Sequence, residues 1–158
     1  MSAGSAAYPS RFGSIRIDWE DGAIVRIQAP AGDDPEAGTP TPLTDAVFRQ
    51  LSEYFDGVRQ TFDFPRVLRG TAFEQAVWAA LQTIPYGETR TYRDIAAQIG
   101  RPAAARAVGA ANRKNPILIA VPCHRVVGSD GSPRGYAGGR AMKQELLHLE
   151  QNMSADGF

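Results

Sequence analysis

Ile15, Ile17 and Trp19 alternate with polar neighbours, Asp21-Gly22 follows, and Val25, Ile27 and Ala29 resume the alternation. A period of two around an Asp-Gly turn predicts a β-hairpin. Residues 1–10 are mostly small and read as a loose tail, while residues 30–42, rich in Pro, Gly, Thr and Asp, read as a loop. Leu43, Val47, Leu51, Tyr54 and Phe55 then recur at helical spacing, with Thr41-Pro42 as the start and Gly57 as the stop. Residues 61–65 predict another short strand, and residues 66–70 a link to a second unit.

The second unit reads as mostly helical. Thr71 and Glu74 match a capping box, followed by an apolar stripe of Phe73, Val77, Ala80, Leu81 and Ile84. Another helix is expected from about Thr91, with Tyr92, Ile95, Ala96 and Ile99 on one face and Gly100 at its end. Pro102 opens an alanine-rich third helix, Ala103 to Asn112. Two short helices around a tight Gly-containing turn match a helix-turn-helix, a pattern shared by DNA-binding units and by ordinary helix packing. An apolar run from Pro116 leads into Pro122-Cys-His-Arg-Val-Val127. A Gly-rich loop, 128–139, precedes a final helix carrying Glu145, Leu146, Leu147, Leu149 and Glu150.

Composition narrows the function classes. The 158 residues are 43% apolar and 22% charged, enough for a core and against wholesale disorder. The longest apolar stretch, 116–122, is far short of the roughly 20 residues a membrane span needs. No secretory signal is visible at the N-terminus. A single cysteine excludes an internal disulfide and any multi-cysteine zinc site, and His124 and His148 are too few for a histidine-rich one. A reducing, cytoplasmic location fits. Residues 1–69 carry 7 basic and 10 acidic side chains, and residues 70–158 carry 10 basic and 7 acidic, so the second half is the better suited to an anionic partner.

Cys123 is the residue of chemical interest. A free thiol ionises near pH 8.5, so a nucleophilic role needs a base or a pKa-lowering environment. Residue type alone leaves two roles open, a nucleophile and a buried hydrophobe. On an extended segment His124 would face away from Cys123, so a water or third group would complete any relay. Glu150 is the candidate orienter of the histidine.

The longer string Ile119-Ala-Val-Pro-Cys-His-Arg-Val-Val127 resembles the active-site signature of the O6-alkylguanine-DNA alkyltransferases, the methylated-DNA–protein-cysteine methyltransferases. Phe73-Glu-Gln-Ala-Val-Trp78, Ile84-Pro-Tyr-Gly-Glu-Thr89, Ala105-Arg-Ala-Val-Gly109, Asn115-Pro116 and Gly135-Tyr-Ala-Gly-Gly139 resemble further family motifs in the same order. The strong resemblance covers about residues 70–150.

The resemblance implies an α+β fold: a small RNase-H-like strand/helix domain over residues 1–69, then a mainly helical, winged-helix-like domain with a helix-turn-helix over 70–158. It implies DNA repair by direct reversal, in which Cys123 takes the alkyl group from O6-alkylguanine, and from O4-alkylthymine, once per molecule and irreversibly. No metal and no organic cofactor is implied. His124 would take the thiol proton through a water, Glu150 would polarise the histidine, and Asn115 would brace the active-site turn. Tyr136 would donate to the guanine ring and Val126 would offer its carbonyl to the exocyclic amine. Arg106 would fill the vacated base stack, and Tyr92 would press on the backbone phosphate. Ala105, Ala107 and Gly109 would let the third helix approach double-stranded DNA through the minor groove. Arg90, Arg93, Arg101, Arg113 and Lys114 are candidate phosphate contacts.

Two positions depart from the pattern. Ala137 stands where some relatives have serine, and Leu118 stands where some have proline at the rim of the alkyl pocket. The implied partner is duplex DNA, with no membrane, and a monomer in free solution, clustering on DNA being left open. The main alternative is a non-catalytic alkyltransferase-like lesion sensor, a class in which the cysteine is replaced; a third reading is a Cys–His hydrolase.

Overall fold

Three antiparallel strands open the chain in the order β1-β2-β3: β1 (Ala3–Ser10), β2 (Gly13–Glu20) and β3 (Ala23–Gln28). The computed structural model describes residues 2–31, 38–132 and 136–155, with the side chains of 153–155 set aside. The hairpin turn at Asp21-Gly22 uses left-handed backbone, φ 49° and 79°, which the Asp-Gly pair accepts at little cost. Residues 1–10, expected as a tail, instead form the edge strand β1, paired with β2 from Ala3↔Glu20 to Ser10↔Gly13. A backbone ladder holds this strand more than its side chains do, and only Ala6 along it is buried. Pro9 is tolerated there because β1 lies at the edge. Gly4 lies against Trp19, where an added Cβ would stand 2.9 Å from Nε1.

The strict alternation expected for β3 is broken. Asp18 pairs with Arg26 and Trp19 with Ile24, so Val25 is the extra residue of a bulge. The phase slips by one, and Ile24 and Ile27 both reach the core while Val25 stays half-exposed.

Helix α1 (Pro42–Phe55) starts as expected: the Thr41 hydroxyl accepts from the Thr44 N–H, and Pro42 needs no donor partner. It buries Val47, Leu51 and Tyr54, and Gly57 (φ 77°) follows its end. No strand forms over 61–65. Phe62 packs on Tyr54 (ring centroids 5.5 Å) and Phe64 on Phe62 (6.3 Å), while Gln50 bonds the Asp63 backbone in both directions. Just beyond this stretch, Arg66 makes an isolated bridge to Ile24. Aromatic docking on the helix takes precedence over strand pairing, and Pro65 removes one ladder donor.

The remaining elements are α2 (Ala72–Leu81), β4 (Arg90–Thr91), α3 (Tyr92–Gln98), α4 (Ala105–Arg113), a 3-10 turn (Cys123–Arg125), β5 (Val126–Val127) and α5 (Arg140–Ala155). Helices α2 and α3 both carry capping boxes, Thr71 with Glu74 and Thr91 with Asp94. Helix α4 starts two residues later than expected. Ala104 offers no capping side chain, and a turn closed by its N–H on the Arg101 carbonyl (2.9 Å) occupies that stretch. Val77, Leu81, Ile95, Val108 and Leu146 are fully buried, and Trp78 donates from Nε1 to the Ala111 carbonyl at 3.0 Å.

The chain divides into two compact units, residues 1–69 with 116–120, and residues 70–115 with 121–158. The strip 116–120 fell within the expected second domain, 70–158. It joins the first unit because β3 has an open edge: Ile27 N–H donates to Pro116 (2.9 Å), and Leu118 N–H donates to Ile27 (3.2 Å). Among the described residues, no helix is long and apolar enough to cross a membrane.

Candidate active site

Tight turns bring the chain to Cys123. Ile119 holds φ at 74°, a left-handed conformation that is strained for a β-branched side chain. Asn115 braces the segment, its Nδ2 donating to the Val121 carbonyl at 2.8 Å. Asn112, on α4, donates to the Cys123 carbonyl at 3.2 Å. Cys123, His124 and Arg125 then form a 3-10 turn rather than the extended strand end that the apolar run implied. Arg125 N–H closes on Pro122 at 3.0 Å.

The Cys123 thiol is fully buried. Burial pushes its pKa up to about 11; an Asn115 hydrogen bond and the charge of Lys143 pull the other way. The resting group is therefore a thiol at neutral pH, and any nucleophilic role would need a base to remove its proton.

An imidazole stands next in the chain. His124 Nε2 lies 2.6 Å from Glu150 Oε2, with both side chains buried. An ionised carboxylate only accepts, so Nε2 carries the proton and Nδ1 is the basic nitrogen. Burial lowers the His124 pKa below 6.5 against the opposing pull of Glu150, so the ring is neutral at pH 7. Burial alone would raise the Glu150 pKa. Hydrogen bonds and charge from His124 and Arg125 outweigh it and hold the carboxyl well below the usual range.

Two further groups belong to this cluster, and the motif reading gave neither a role. Arg125 clamps Glu150 through Nε (2.8 Å) and Nη2 (3.1 Å), donates from Nη1 to the Ile84 carbonyl (2.7 Å), and lies over the Tyr86 ring at 5.6 Å. Lys143 is fully buried, and burial pulls its pKa down to about 8. Its signal was helical spacing: Lys143, Leu146 and Glu150 fall at i, i+3 and i+7, the inward face of α5.

Tyr136 is buried, edge-on to His124 with ring centroids 6.4 Å apart. Its hydroxyl is buried and has no hydrogen-bond partner among the described residues. Burial, with the nearby Cys123 and Glu150, raises the phenol pKa well above 10, so it remains a donor. Val126 is buried on β5, paired in parallel with Arg90 of β4. Ala137 is exposed, and the neighbouring positions 133–135, including Gly135 of the expected motif, lie outside the described residues. Leu118 is buried and belongs to the first unit.

Beside α4 lies an open concavity of about 490 Å³. Ala105, Arg106, Gly109 and Arg113 line it from α4, with Tyr92 and Arg93 of α3 and Gly128-Ser129 of the following loop. Cys123 is not among the lining residues. Arg106 and Ala107 are exposed, whereas Val108, Ala111 and Asn112 face inward. The small residues of α4 thus serve close packing on one face and an open groove on the other. Tyr92 is half-buried, with Lys143 Nζ 5.8 Å from its ring centre. Of the candidate phosphate contacts, Arg90 pairs with Glu88 and Lys114 with Glu74, while Arg93, Arg101 and Arg113 are exposed. Among the described residues, no group of three or more His, Cys, Asp or Glu side chains could hold a metal ion.

Residues 72–152 match the family model described as 6-O-methylguanine DNA methyltransferase, DNA binding domain. The chain belongs to this family. It is 57% identical over 104 residues to the methylated-DNA–protein-cysteine methyltransferase of Methanosarcina barkeri, 66% of each chain being covered. It is 51% identical over 112 residues to the constitutive one of Bacillus subtilis, covering 70% of this chain and 68% of that relative. The match spans 62–66% of the length of several such relatives. The mixed α/β fold extends further. The O6-methylguanine methyltransferase of Mycobacterium tuberculosis superposes with a TM-score of 0.84 at 41% identity, covering 96% of this chain and 94% of that one. The OGT of the same organism in complex with DNA gives 0.85 at 44% identity, covering 94% and 93%.

Proposed function

We propose that this protein repairs alkylated DNA by transferring the alkyl group of O6-alkylguanine, and of O4-alkylthymine, to its own Cys123. The observation that carries this reading is the buried His124–Glu150 contact of 2.6 Å directly after the one cysteine of the chain. In the proposed step the thiol proton passes through a water to His124 Nδ1. The sulfur then displaces the base in line: a carbon–sulfur bond forms as the carbon–O6 bond breaks. The departing guanine anion is stabilised by the Tyr136 phenol and takes up a proton to give guanine. The buried Tyr136 hydroxyl, which has no partner among the described residues, supports that donor role. A thioether has no ready route back to a thiol, so each molecule acts once, and the step calls for no cofactor.

The target base must leave the duplex first, at a cost of a few kcal/mol, less for a poorly paired lesion. In this reading Arg106 fills the vacated stack and Tyr92 presses on the phosphate. The open face of α4, with Ala105, Ala107 and Gly109, enters the minor groove, and Arg93 and Arg113 meet phosphates. Val126 presents its carbonyl to the exocyclic amine, and Ala137 borders the alkyl group. The domain description, an RNase-H-like unit ahead of a winged-helix-like unit in which α3 and α4 are the helix-turn-helix, belongs to the same proposal. So do a monomeric state in free solution and a cytoplasmic location.

Incubation with a duplex containing O6-methylguanine, followed by intact-mass measurement and peptide mapping, tests it. One methyl group on the Cys123 peptide is expected. Unmodified protein that still binds the lesion would favour the sensor reading instead.

A further inference from the structure

We infer that Arg125 is a positioning residue that keeps His124 unprotonated, and so available as a base, by supplying the counter-charge to Glu150 in advance. The inference rests on the transfer step proposed above and adds a residue to it. A buried carboxylate needs an opposite charge close by. With only His124 at 2.6 Å, Glu150 would draw a proton onto the ring, and an imidazolium cannot accept one from a thiol. Arg125 removes that demand. Its planar fork meets both carboxylate oxygens, at 2.8 and 3.1 Å, in a side chain that is itself buried.

The fork cannot swing away easily. Its third nitrogen is tied to the Ile84 carbonyl at 2.7 Å, and the guanidinium lies over the Tyr86 ring. Gly87 N–H adds a fourth donor to Glu150 at 3.2 Å. Glu150 is thereby satisfied in its ionised form, and its bond to His124 fixes the tautomer without needing the ring to be charged. The other titratable groups facing His124 are Lys143 on α5, Cys123 before it, and Tyr136 from the loop ahead of α5. The charges of Arg125 and Lys143 both oppose protonation of the ring, and Glu150 favours it.

The test uses the free base O6-benzylguanine, so that DNA binding does not enter. Alkylation of Cys123 is followed by intact mass from pH 5 to 9 in the wild type, Arg125→Gln and Arg125→Lys. Histidine ring resonances are titrated by NMR in parallel. The expected result is an acid limb in Arg125→Gln displaced upward by at least one pH unit, hence about tenfold slower reaction at a fixed pH on that limb, with the rate recovering in alkali. The displacement is expected to shrink in Arg125→Lys, which keeps the charge without the fork. A uniform loss of rate at every pH, with the midpoint unmoved, would reduce Arg125 to a scaffold and overturn the inference. The wild type gives an independent answer if the variants fail to fold: a His124 ring found charged at pH 7 also overturns it. A wild type that never alkylates Cys123 would instead defeat the transfer reading, with the NMR titration still deciding the role of Arg125.

Discussion

The two units handle charge in opposite ways. In the first, ion pairs such as Arg59–Glu53 (2.8 Å) lie at the surface, with side chains 30% and 38% exposed, while the core of Ile15, Ile17, Ile24 and Leu51 is apolar. In the second, His124, Arg125, Lys143 and Glu150 are all buried. Surface pairs contribute about 0–1 kcal/mol because water screens them. Buried charges cost several kcal/mol each in lost hydration, recovered only by close, well-aligned partners. The first unit is therefore built as a fold needs to be. The second accepts an expense that stability alone does not require, and it does so beside Cys123, the proposed nucleophile.

Four tests bear on that contrast. The largest effect is expected at the nucleophile: Cys123→Ala removes methyl transfer altogether while duplex binding, measured by anisotropy, persists. Binding lost together with transfer would deny separate roles to the thiol and the helices.

Next is the buried cluster. Glu150→Leu strands the Arg125 guanidinium in a dry site, and a loss of about 3–5 kcal/mol is expected in urea unfolding. Glu53→Gln at the surface pair is expected to cost under about 1 kcal/mol. Similar losses at the two sites would erase the distinction between the units.

Acid provides the third. His124 has a folded pKa below 6.5 and Glu150 one below 4.5. Both groups bind protons more readily in the unfolded chain, so their contribution to stability is present above those values. It declines as pH falls below 6.5 and again below 4.5. Unfolding free energies that stayed flat from pH 7 to 4 would contradict the assignment. Transfer activity is expected to fall over the same first window as the histidine gains its proton.

The smallest effect is expected on the groove. Arg106→Ala should slow repair of duplex lesions by roughly tenfold, the size of one charge-assisted contact of about 1.4 kcal/mol. Reaction with free O6-benzylguanine should be nearly unchanged. Equal losses on both substrates would remove Arg106 from the DNA-facing role.

Local patterns carried much of the architecture. Thr41-Pro42, Thr71 with Glu74, and Thr91 at the next helix start all cap helices, because capping is chemistry between near neighbours in sequence. What stayed hidden depends on distant partners. Strand β1 is held by backbone pairing to β2, which small residues do not advertise. The Val25 bulge shifts the inward face of β3 through its pairing with β2, and alternation along one strand cannot reveal it. Strip 116–120 joins an edge about ninety residues earlier in the chain, at Ile27.

The candidate site was legible to a similar depth. Cys123, His124 and Glu150 were named from the motif and the last helix, and the structure brings His124 and Glu150 into contact. Arg125 sat inside the quoted motif without a role, because only folding shows that its fork meets Glu150. Lys143 is marked as inward-facing by its spacing to Glu150 on α5, against the usual exposure of lysine. The extended backbone inferred for Cys123-His124 failed because a short 3-10 turn carries no hydrophobic period.

The most direct measurement is the yield of repaired guanine when the lesion-bearing duplex is in large excess over protein. Repair is expected to halt at one guanine per protein molecule, with every Cys123 converted to S-methylcysteine. Continued turnover, or a methyl group found anywhere other than Cys123, would contradict it.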